Sequence, residues 1–492
     1  MDLQSTVNMI KQDIGEKSPL VARDFLIGSE NFRKCTIFYV GVIADKNIVD
    51  RDILKPLMIY AKENFMGREK LPEYLVEKYI TTGNVVVEKN IETAVEALKR
   101  GKTVVIIENE DGFIVADTTG GEYRAISEPV NEASVRGSRE GFVEKLGTNI
   151  SILRRRIKDN NLVIENITLG KRSQADMALV YIDDIVDKEV LDELKRRLNL
   201  INTDNVPLSG FVQQYIEDST YSIFPQSFSS ERPDIIQSNI LEGRIGLILE
   251  GTPAVFTVPT VFQEFFQAVD DYSQRTIVSN FVRIIRILTV FIIITFPSIY
   301  LMFVSFNGEL IPIKFIVPIV ESRVGIALDP FSEIMVMEII VEFLREGGLR
   351  LPVKIGQTLS VVGGIIIGNA ALNARIVSPA TLLIVGVVTV ATFLIPNYDM
   401  ALAVRFIRFP MLFITNIYGA LGIAAGWFLI TVHLCSLKSV GIPYFSIHLS
   451  DFKDFIIRAP LWKMNKRPVA IPNSNRFRQS DFRKAFRGNQ DE

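Results

Sequence analysis

The residues of this chain best suited to acting on a charged partner are carboxylates set among apolar ones. Glu338, Glu342 and Glu346 recur at every fourth position of 331–346, so a helix stacks them on one face while Ile334, Met335, Ile339, Val341, Phe343 and Leu344 cover much of the rest. A carboxylate in or beside hydrocarbon is costly, and it commonly lines an aqueous path or neutralises a cation. Arg345, Arg350 and Lys354 are near enough in sequence to be that cation, so an ion path and a structural ion pair both stand open. Downstream, Gly356, Ser360, Gly364 and Gly368 fall at strict four-residue spacing, a stripe of small side chains that lets another backbone approach closely. Gln357, Thr358, Asn369 and Asn373 add groups that lipid does not satisfy, and Val361, Val362 and Ile365 are bulky enough to close a narrow pore by dewetting. The candidate pore and gate residues are therefore Glu338, Glu342, Gly356, Gln357, Ser360, Val361, Val362, Gly364 and Gly368, with a tightly packed helix lacking a pore as the alternative.

Other chemistries find little support. Cys35 and Cys435 lie 400 positions apart with only His433 and His448 to accompany them, which supplies neither a zinc site nor a disulfide framework. His433 has no nucleophile with an identifiable acidic partner, so no catalytic triad and no enzymatic activity are expected. Gly363, Gly364 and Gly368 are not followed by the Lys-Ser/Thr pair of a phosphate loop, and no cofactor is expected. Arg154, Arg155, Arg156 and Lys158 could meet phosphate, but no stacking aromatics accompany them. With 54 basic against 56 acidic residues among 492, a nucleic-acid partner is not expected either.

The charge pattern points to the elements that must hold the candidate residues. Asp, Glu, Lys and Arg are absent from 287–308, 355–374, 376–398 and 409–437, and each run reaches the ~20 residues a helix needs to cross a bilayer. About four spans in a membrane domain over 280–445 are expected, with the amphipathic acidic helix 331–346 beside them. Arg275, Arg283 and Arg286 precede the first run, and Lys438, Lys453, Arg458, Lys463, Lys466, Arg467 and further basic residues follow the last. Both flanks then read as cytoplasmic, including a basic tail over 446–492. Phe452, Phe455, Trp462, Phe477, Phe482 and Phe486 are interleaved with that tail's positive charge, which makes anionic lipid a candidate partner. Residues 1–24 have no signal-peptide pattern.

The chain ahead of Phe281 holds no such run and reads as an α+β region of two subdomains, 1–131 and 132–265. In the first, Asn90 caps a helix ended by Gly101, and 103–108 and 113–118 form a hairpin turned through Asp111-Gly112. A strand over 36–43 and helical turns over 48–65 accompany it, and Glu128-Pro129 marks the boundary. The second opens with a helix carrying Phe142, Leu146, Ile150, Leu153 and Ile157. Hairpins of 162–168 with 177–182 and of 244–249 with 254–258 follow, separated by a helix around 190–198. No short-period repeat of the solenoid or propeller kind is evident.

Several short words in a fixed order resemble the spore germinant receptor A-subunit family. They are Arg136-Gly137-Ser138-Arg139-Glu140-Gly141-Phe142, Thr148-Asn149-Ile150, Glu231-Arg232-Pro233-Asp234, Leu241-Glu242-Gly243-Arg244 and Gly251-Thr252-Pro253. Further along come the acidic stretch 337–346, then Leu349-Arg350-Leu351-Pro352, Gly356-Gln357-Thr358, Val362-Gly363-Gly364 and Ile395-Pro396-Asn397-Tyr398. The resemblance implies a two-part cytoplasmic N-terminal region and an all-α polytopic domain in the inner membrane of a bacterial spore, with both termini facing the spore core. It also implies assembly with a membrane-embedded B subunit and a C-subunit lipoprotein, and a homo-oligomer of A subunits, a pentamer, around a nutrient-gated ion channel. The chain departs from the family at Ser273, where a second Tyr is usual, at Asn373, where many members have Glu, and at Asp329-Pro330-Phe331. A secondary transporter and a receptor subunit that conducts nothing remain the competing functions.

Overall fold

The computed structural model describes residues 9, 20–29, 32–41, 43–65, 68, 70–120, 129, 132, 137–351, 353–446, 448, 451, 454 and 457–480, with backbone alone over 353–361. The chain divides into an α+β unit within 1–217, 227–259 and 465–480, and a helical unit within 218–226, 260–464 and 481–492.

The α+β unit begins with strands β1 (Leu20–Ile27) and β2 (Arg33–Val40). A short helix α1 (Lys46–Ile48) follows and runs on as π-helical turns over Val49–Leu54 and Pro56–Tyr60. Then come α2 (Leu71–Lys78), β3 (Val85–Glu88), α3 (Ile91–Lys99), β4 (Thr103–Ile107) and β5 (Phe113–Ala116). The strands make one antiparallel sheet in the order β1-β2-β4-β5-β3. Helices cover both faces, which is why β4 is buried throughout rather than alternating. Cys35, Ile37, Val105 and Ile114 pack on Ile53, Leu57, Leu71 and Leu75, while Phe38, Val104, Ile106 and Val115 pack on Ala94, Val95 and Leu98 of α3. Asn90 caps α3 by accepting from Glu92 N at 2.9 Å, and Gly101, at φ 86°, ends it. The expected strand over 36–43 starts and stops three residues earlier, and β1, mostly exposed along its length, has no counterpart in the sequence reading.

Helix α4 (Leu146–Arg156) leads to β6 (Leu162–Leu169), β7 (Ala175–Ile182), α5 (Lys188–Leu200) and α6 (Ser209–Ile216). After these come β8 (Phe228–Ser230), α7 (Pro233–Leu241), β9 (Ile245–Leu249) and β10 (Val255–Val258). The second sheet runs β6-β7-β9-β10-β8, again antiparallel, so it repeats the first strand for strand. The repeat is also one of position. Leu20–Ile27 recurs as Leu162–Leu169, Arg33–Val40 as Ala175–Ile182, Ile91–Lys99 as Pro233–Leu241, and Thr103–Ile107 as Ile245–Leu249, always at the same offset along the chain. Special positions follow the same register. Gly28 and Gly101 take positive φ, as do Gly170 and Gly243, and Asp45 caps α1 as Asp187 caps α5. The α+β region is thus two copies of one ββααβαββ fold, called copy one and copy two below. In copy two, Ile150 and Leu153 of α4 join Ile236 and Ile240 of α7 on the face carrying Ile164, Ala178, Val180 and Ile248.

The helical unit holds α8 (Asp270–Ser273), α9 (Thr276–Ser305), α10 (Ile313–Arg323), α11 (Pro330–Leu349) and α12 (Val353–Asn373). These are followed by α13 (Pro379–Thr392), α14 (Tyr398–Tyr418), α15 (Ala420–Ser436) and a small ladder of β11 (Lys438–Ser439) with β12 (Ile442–Pro443). Among the described residues, two helices are long and apolar enough to cross a bilayer, α9 and α14, with mean hydropathies of 2.4 and 1.5. The four uncharged runs map onto helices unevenly. In 376–398, Ser378 caps α13 and the helix lasts 14 residues, about 21 Å at 1.5 Å per residue. The run 409–437 is not one helix: Gly419, at φ 57°, separates α14 from α15. The two halves pack so closely that a Cβ on Gly422 would lie 2.4 Å from Ile414 O, and one on Gly426 would lie 2.4 Å from Met411 Sδ.

Candidate functional site

Helix α11 is started by Asp329, whose side chain accepts from Ser332 N at 3.2 Å, with Pro330 in its first turn. That start sets the rotation of the four carboxylates that follow. Glu333, fully buried, pairs with Arg323 Nη1 at 2.7 Å and accepts from Ser378 N. Glu338, also fully buried, has Arg408 Nη2 at 2.7 Å from Oε2, an ion-pair distance at an angle that makes no hydrogen bond. Glu342 accepts from the same Nη2 at 3.4 Å and has Arg405 Nη1 at 3.8 Å. Glu346 lies out on the exposed end of the row and pairs with Arg350.

The cation expected from Arg345, Arg350 and Lys354 is therefore supplied from elsewhere. Arg345 donates to Thr392 Oγ1 at 2.9 Å and Arg350 pairs with Glu346, while the Lys354 side chain lies outside the described residues. Arg405 and Arg408 of α14 take the role, and sequence proximity could not find them because they stand far along the chain from the row they neutralise. The available signal was their own setting: two arginines three apart inside an apolar helix, where a cation is retained only with a partner. Glu333 and Arg323 were missed in the same way. Breaking such a buried pair leaves an uncompensated charge, at a cost of about 3–5 kcal/mol.

On α12 the side chains of Gly356, Gln357, Ser360 and Val361 lie outside the described residues. The rest of the stripe is open within one chain. Among the described residues nothing lies within 4 Å of a Cβ built on Gly364, Gly368 reaches Leu382 at 3.7 Å, and Val362 is 47% exposed. The close neighbour belongs to Gly363, whose Cβ would lie 3.2 Å from Leu344 of α11. The four-residue stripe and the acidic row thus occupy adjacent helices, and at Gly364 the stripe meets no close neighbour among the described residues.

A second buried polar cluster gathers where α9 begins. Asp271 accepts from Arg283 Nε at 3.0 Å and from Arg286 Nη1 at 2.9 Å. Arg283 Nη1 also donates to Asp454 Oδ1 at 3.0 Å, Tyr272 donates to Asp454 Oδ2 at 2.9 Å, and Arg458 Nη1 donates to Asp271 O at 2.7 Å. Arg283 and Arg286, read from sequence as markers of orientation, are structural ion-pair partners that bind α8, the start of α9, Asp454 and Arg458 into one network.

In the α+β unit, Arg155 and Arg156 of the basic run both pair with Glu140, at 2.7 and 2.5 Å, so those two are committed to the chain's own acidic neighbour. Burial pushes the Cys35 thiol up to about 12, which makes it inert. Glu132 is carried up to about 7, chiefly by burial, although it accepts from Ser230 Oγ at 2.5 Å. Part of the basic tail also departs from expectation. Arg467 is buried and donates to Leu241 O, Asn475 O and Phe477 O, and Arg458 is 3% exposed, so neither is available to a lipid surface. Phe452, Phe455, Phe482 and Phe486 lie outside the described residues, as do Glu128 and Arg136. Among the described residues no group of three or more His, Cys, Asp or Glu is placed to hold a metal ion.

Comparison with known proteins gives these features a context. The family model described as Bacillus/Clostridium GerA spore germination protein matches residues 8–470. Spore germination protein KA of Bacillus subtilis (strain 168) is 36% identical over 482 residues, covering 97% of this chain and 88% of that one. Uncharacterized membrane protein YfkQ of the same organism is 34% identical, over 93% of this chain and 89% of its own. Among solved structures, the N-terminal domain of the A subunit of the Bacillus megaterium spore germinant receptor GerK3 is 30% identical, covers 53% of this chain and 96% of that domain, and superposes with a TM-score of 0.40.

Proposed function

The chain belongs to the Bacillus/Clostridium GerA spore germination protein family, and from that premise we propose that it is the A subunit of a spore germinant receptor whose copies ring an ion-conducting pore. In this reading it is a multi-pass protein of the spore inner membrane with both termini in the core, and it works with a B-subunit membrane protein and a C-subunit lipoprotein. The observation that carries the pore assignment is that α12 is uncovered both beside Gly364 and on the nearly opposite side that carries Val362 and Ile366. Val362, Ile365 and Ile366 are 47, 59 and 61% exposed, and Gly364 has open space beside it. A ring of copies can cover both sides and repeats each residue around the axis, so the small side chains set the approach of neighbours while Val362, on the other side, narrows the path. Glu342, its side chain 29% exposed and shared between two arginines, is the carboxylate of the row best able to act on a passing ion.

The pairing of Glu338 with Arg408 favours a second reading, in which the acidic row is structural and the subunit relays a signal without conducting. Ion flux from liposomes carrying the chain with its cognate B and C subunits separates the two. Fast dissipative flux on adding nutrient is expected, Val362→Ala should leak without it, and Gly364→Leu should block assembly or lock the state. No flux with any combination of subunits would leave the relay, and saturating flux coupled to a counter-ion would indicate a transporter. If Val362→Ala is as tight as wild type while Gly364→Leu assembles and responds, α12 is neither gate nor seam.

A further inference from the structure

The two copies of the α+β fold end differently, and that difference exposes a docking site. In copy one the chain beyond β5 turns back on the fold: Thr119 bridges Ala44, and Gly120 N donates to Ile43 O at 3.3 Å. The matching positions in copy two, at the offset shared by the strands, are Val261 and Phe262, but from Thr260 onward the chain belongs to the helical unit. The vacated place is taken by residues that follow that unit's helices in sequence. Asn473 bridges Val186, the counterpart of Ala44, and Ser474 N donates to Ile185 O at 2.9 Å, the counterpart of the Gly120 bond.

The seat is built for its occupant. Ile471 is fully buried, Ser474 Oγ donates to Val186 O at 3.1 Å, and Arg467 Nε donates at 2.7 Å to Leu241 O, the last carbonyl of α7. Gly243 makes room for it: a Cβ there would lie 3.1 Å from Asn473 Cβ and 3.4 Å from Pro472 O. A helix-end carbonyl is a natural acceptor for a guanidinium, because the last turn of a helix leaves such oxygens unpaired.

We propose that the edge of copy two around Ile185, Val186, Leu241 and Gly243 is a docking site for an extended segment, and that residues 465–480 are its occupant, a latch that returns the exit of the helical region to the sheet from which its entrance departs. Among the described residues the latch touches the turn after β7 and the end of α7 and pairs with none of the five strands, so its release leaves the sheet itself paired. The site would take the same segment as a free peptide.

Hydrogen exchange on the full-length protein in detergent, followed by mass spectrometry, tests this. In wild type the amides of 465–480 should exchange at least 10-fold more slowly than an unstructured segment. Ile471→Asp should remove that protection and speed exchange at 183–187, leaving β6, β7, β9 and β10 as protected as before. Ser474→Pro, which deletes the donor to Ile185 and keeps the buried Ile471, should give the same pattern more weakly. A synthetic peptide of residues 465–480 added in excess to Ile471→Asp should restore protection at 183–187. Unprotected exchange of 465–480 in wild type, loss of protection throughout β6 to β10 in both variants, or failure of the peptide to restore protection would each overturn the proposal.

Discussion

Copy one of the α+β fold is finished by its own chain just beyond its last strand, whereas copy two, whose last strand ends at Val258, receives its final contact from Asn473, on the far side of every helix from α8 to α15. Strand order, register and the Asp cap of α1 and α5 are otherwise shared, so the contrast isolates what an insertion does to a fold. The helical region is carried as one long excursion between a strand of copy two and the segment that closes on the turn after β7. Copy one is the reference state of the design, and copy two is the version adapted to hold something at both ends.

The largest expected effect compares matched core positions. Leu98 of α3 and Ile240 of α7 are paired by the repeat and fully buried, so Leu98→Ala and Ile240→Ala should each cost about 2–5 kcal/mol. Urea unfolding of the full-length protein should show similar losses, with added exchange at 465–480 for Ile240→Ala alone. Equal loosening of that segment by both variants would break the distinction between the copies.

Next in size is a pH dependence peculiar to copy two, where Glu132 is anchored to Ser230. Its folded value, about 7 against 4.5 unperturbed, is raised, so the stabilisation is complete below about pH 4.5 and is lost as pH rises to about 7. The shift corresponds to about 3 kcal/mol. Stability measured across that window should fall with rising pH, and Glu132→Gln should flatten the slope. A slope that survives the substitution would assign it to another group.

The smallest effect is at the caps. Asp45 accepts from Asn47 N alone, whereas Asp187 accepts from Glu189 N at 2.9 Å and Val190 N at 3.3 Å. Asp45→Ala and Asp187→Ala should each cost about 1 kcal/mol, the second more than the first. Amide exchange in the first turns of α1 and α5 reads the difference, and a larger loss at Asp45 would mean that the matched caps are not equivalent.

Much of each copy could be read from sequence because its signals are local. Asn90 and Gly101 bracket α3, the apolar runs of β4 and β9 are long, and both hairpins carry turn residues. The duplication was hidden because what recurs is the spacing of elements rather than the run of residue types along them. Leu162–Leu169 reads LVIENITL where Leu20–Ile27 reads LVARDFLI. The acidic row was legible from its four-residue period, but its partners Arg405 and Arg408 were not, since an ion pair between helices leaves no mark on the residues next to it in sequence. Counting uncharged residues overstated helix length for a related reason: Gly419 and the Ser378 cap interrupt helices without adding charge.

The position of residues 465–480 also sets a schedule. Domains fold as they leave the ribosome, which adds roughly 5–20 residues per second, so copy one has all its parts as soon as Gly120 emerges. Copy two must wait while the chain from Val258 to Asn473 is made, roughly 10–40 s of synthesis, with the turn after β7 uncovered in the meantime. During that interval every helix of the inserted region is made, and the last contact of copy two is formed only after the whole of it exists. Its closure therefore serves as a timestamp of completion: a chain that stalls or is cut within the helical region carries a finished first copy and an unfinished second one.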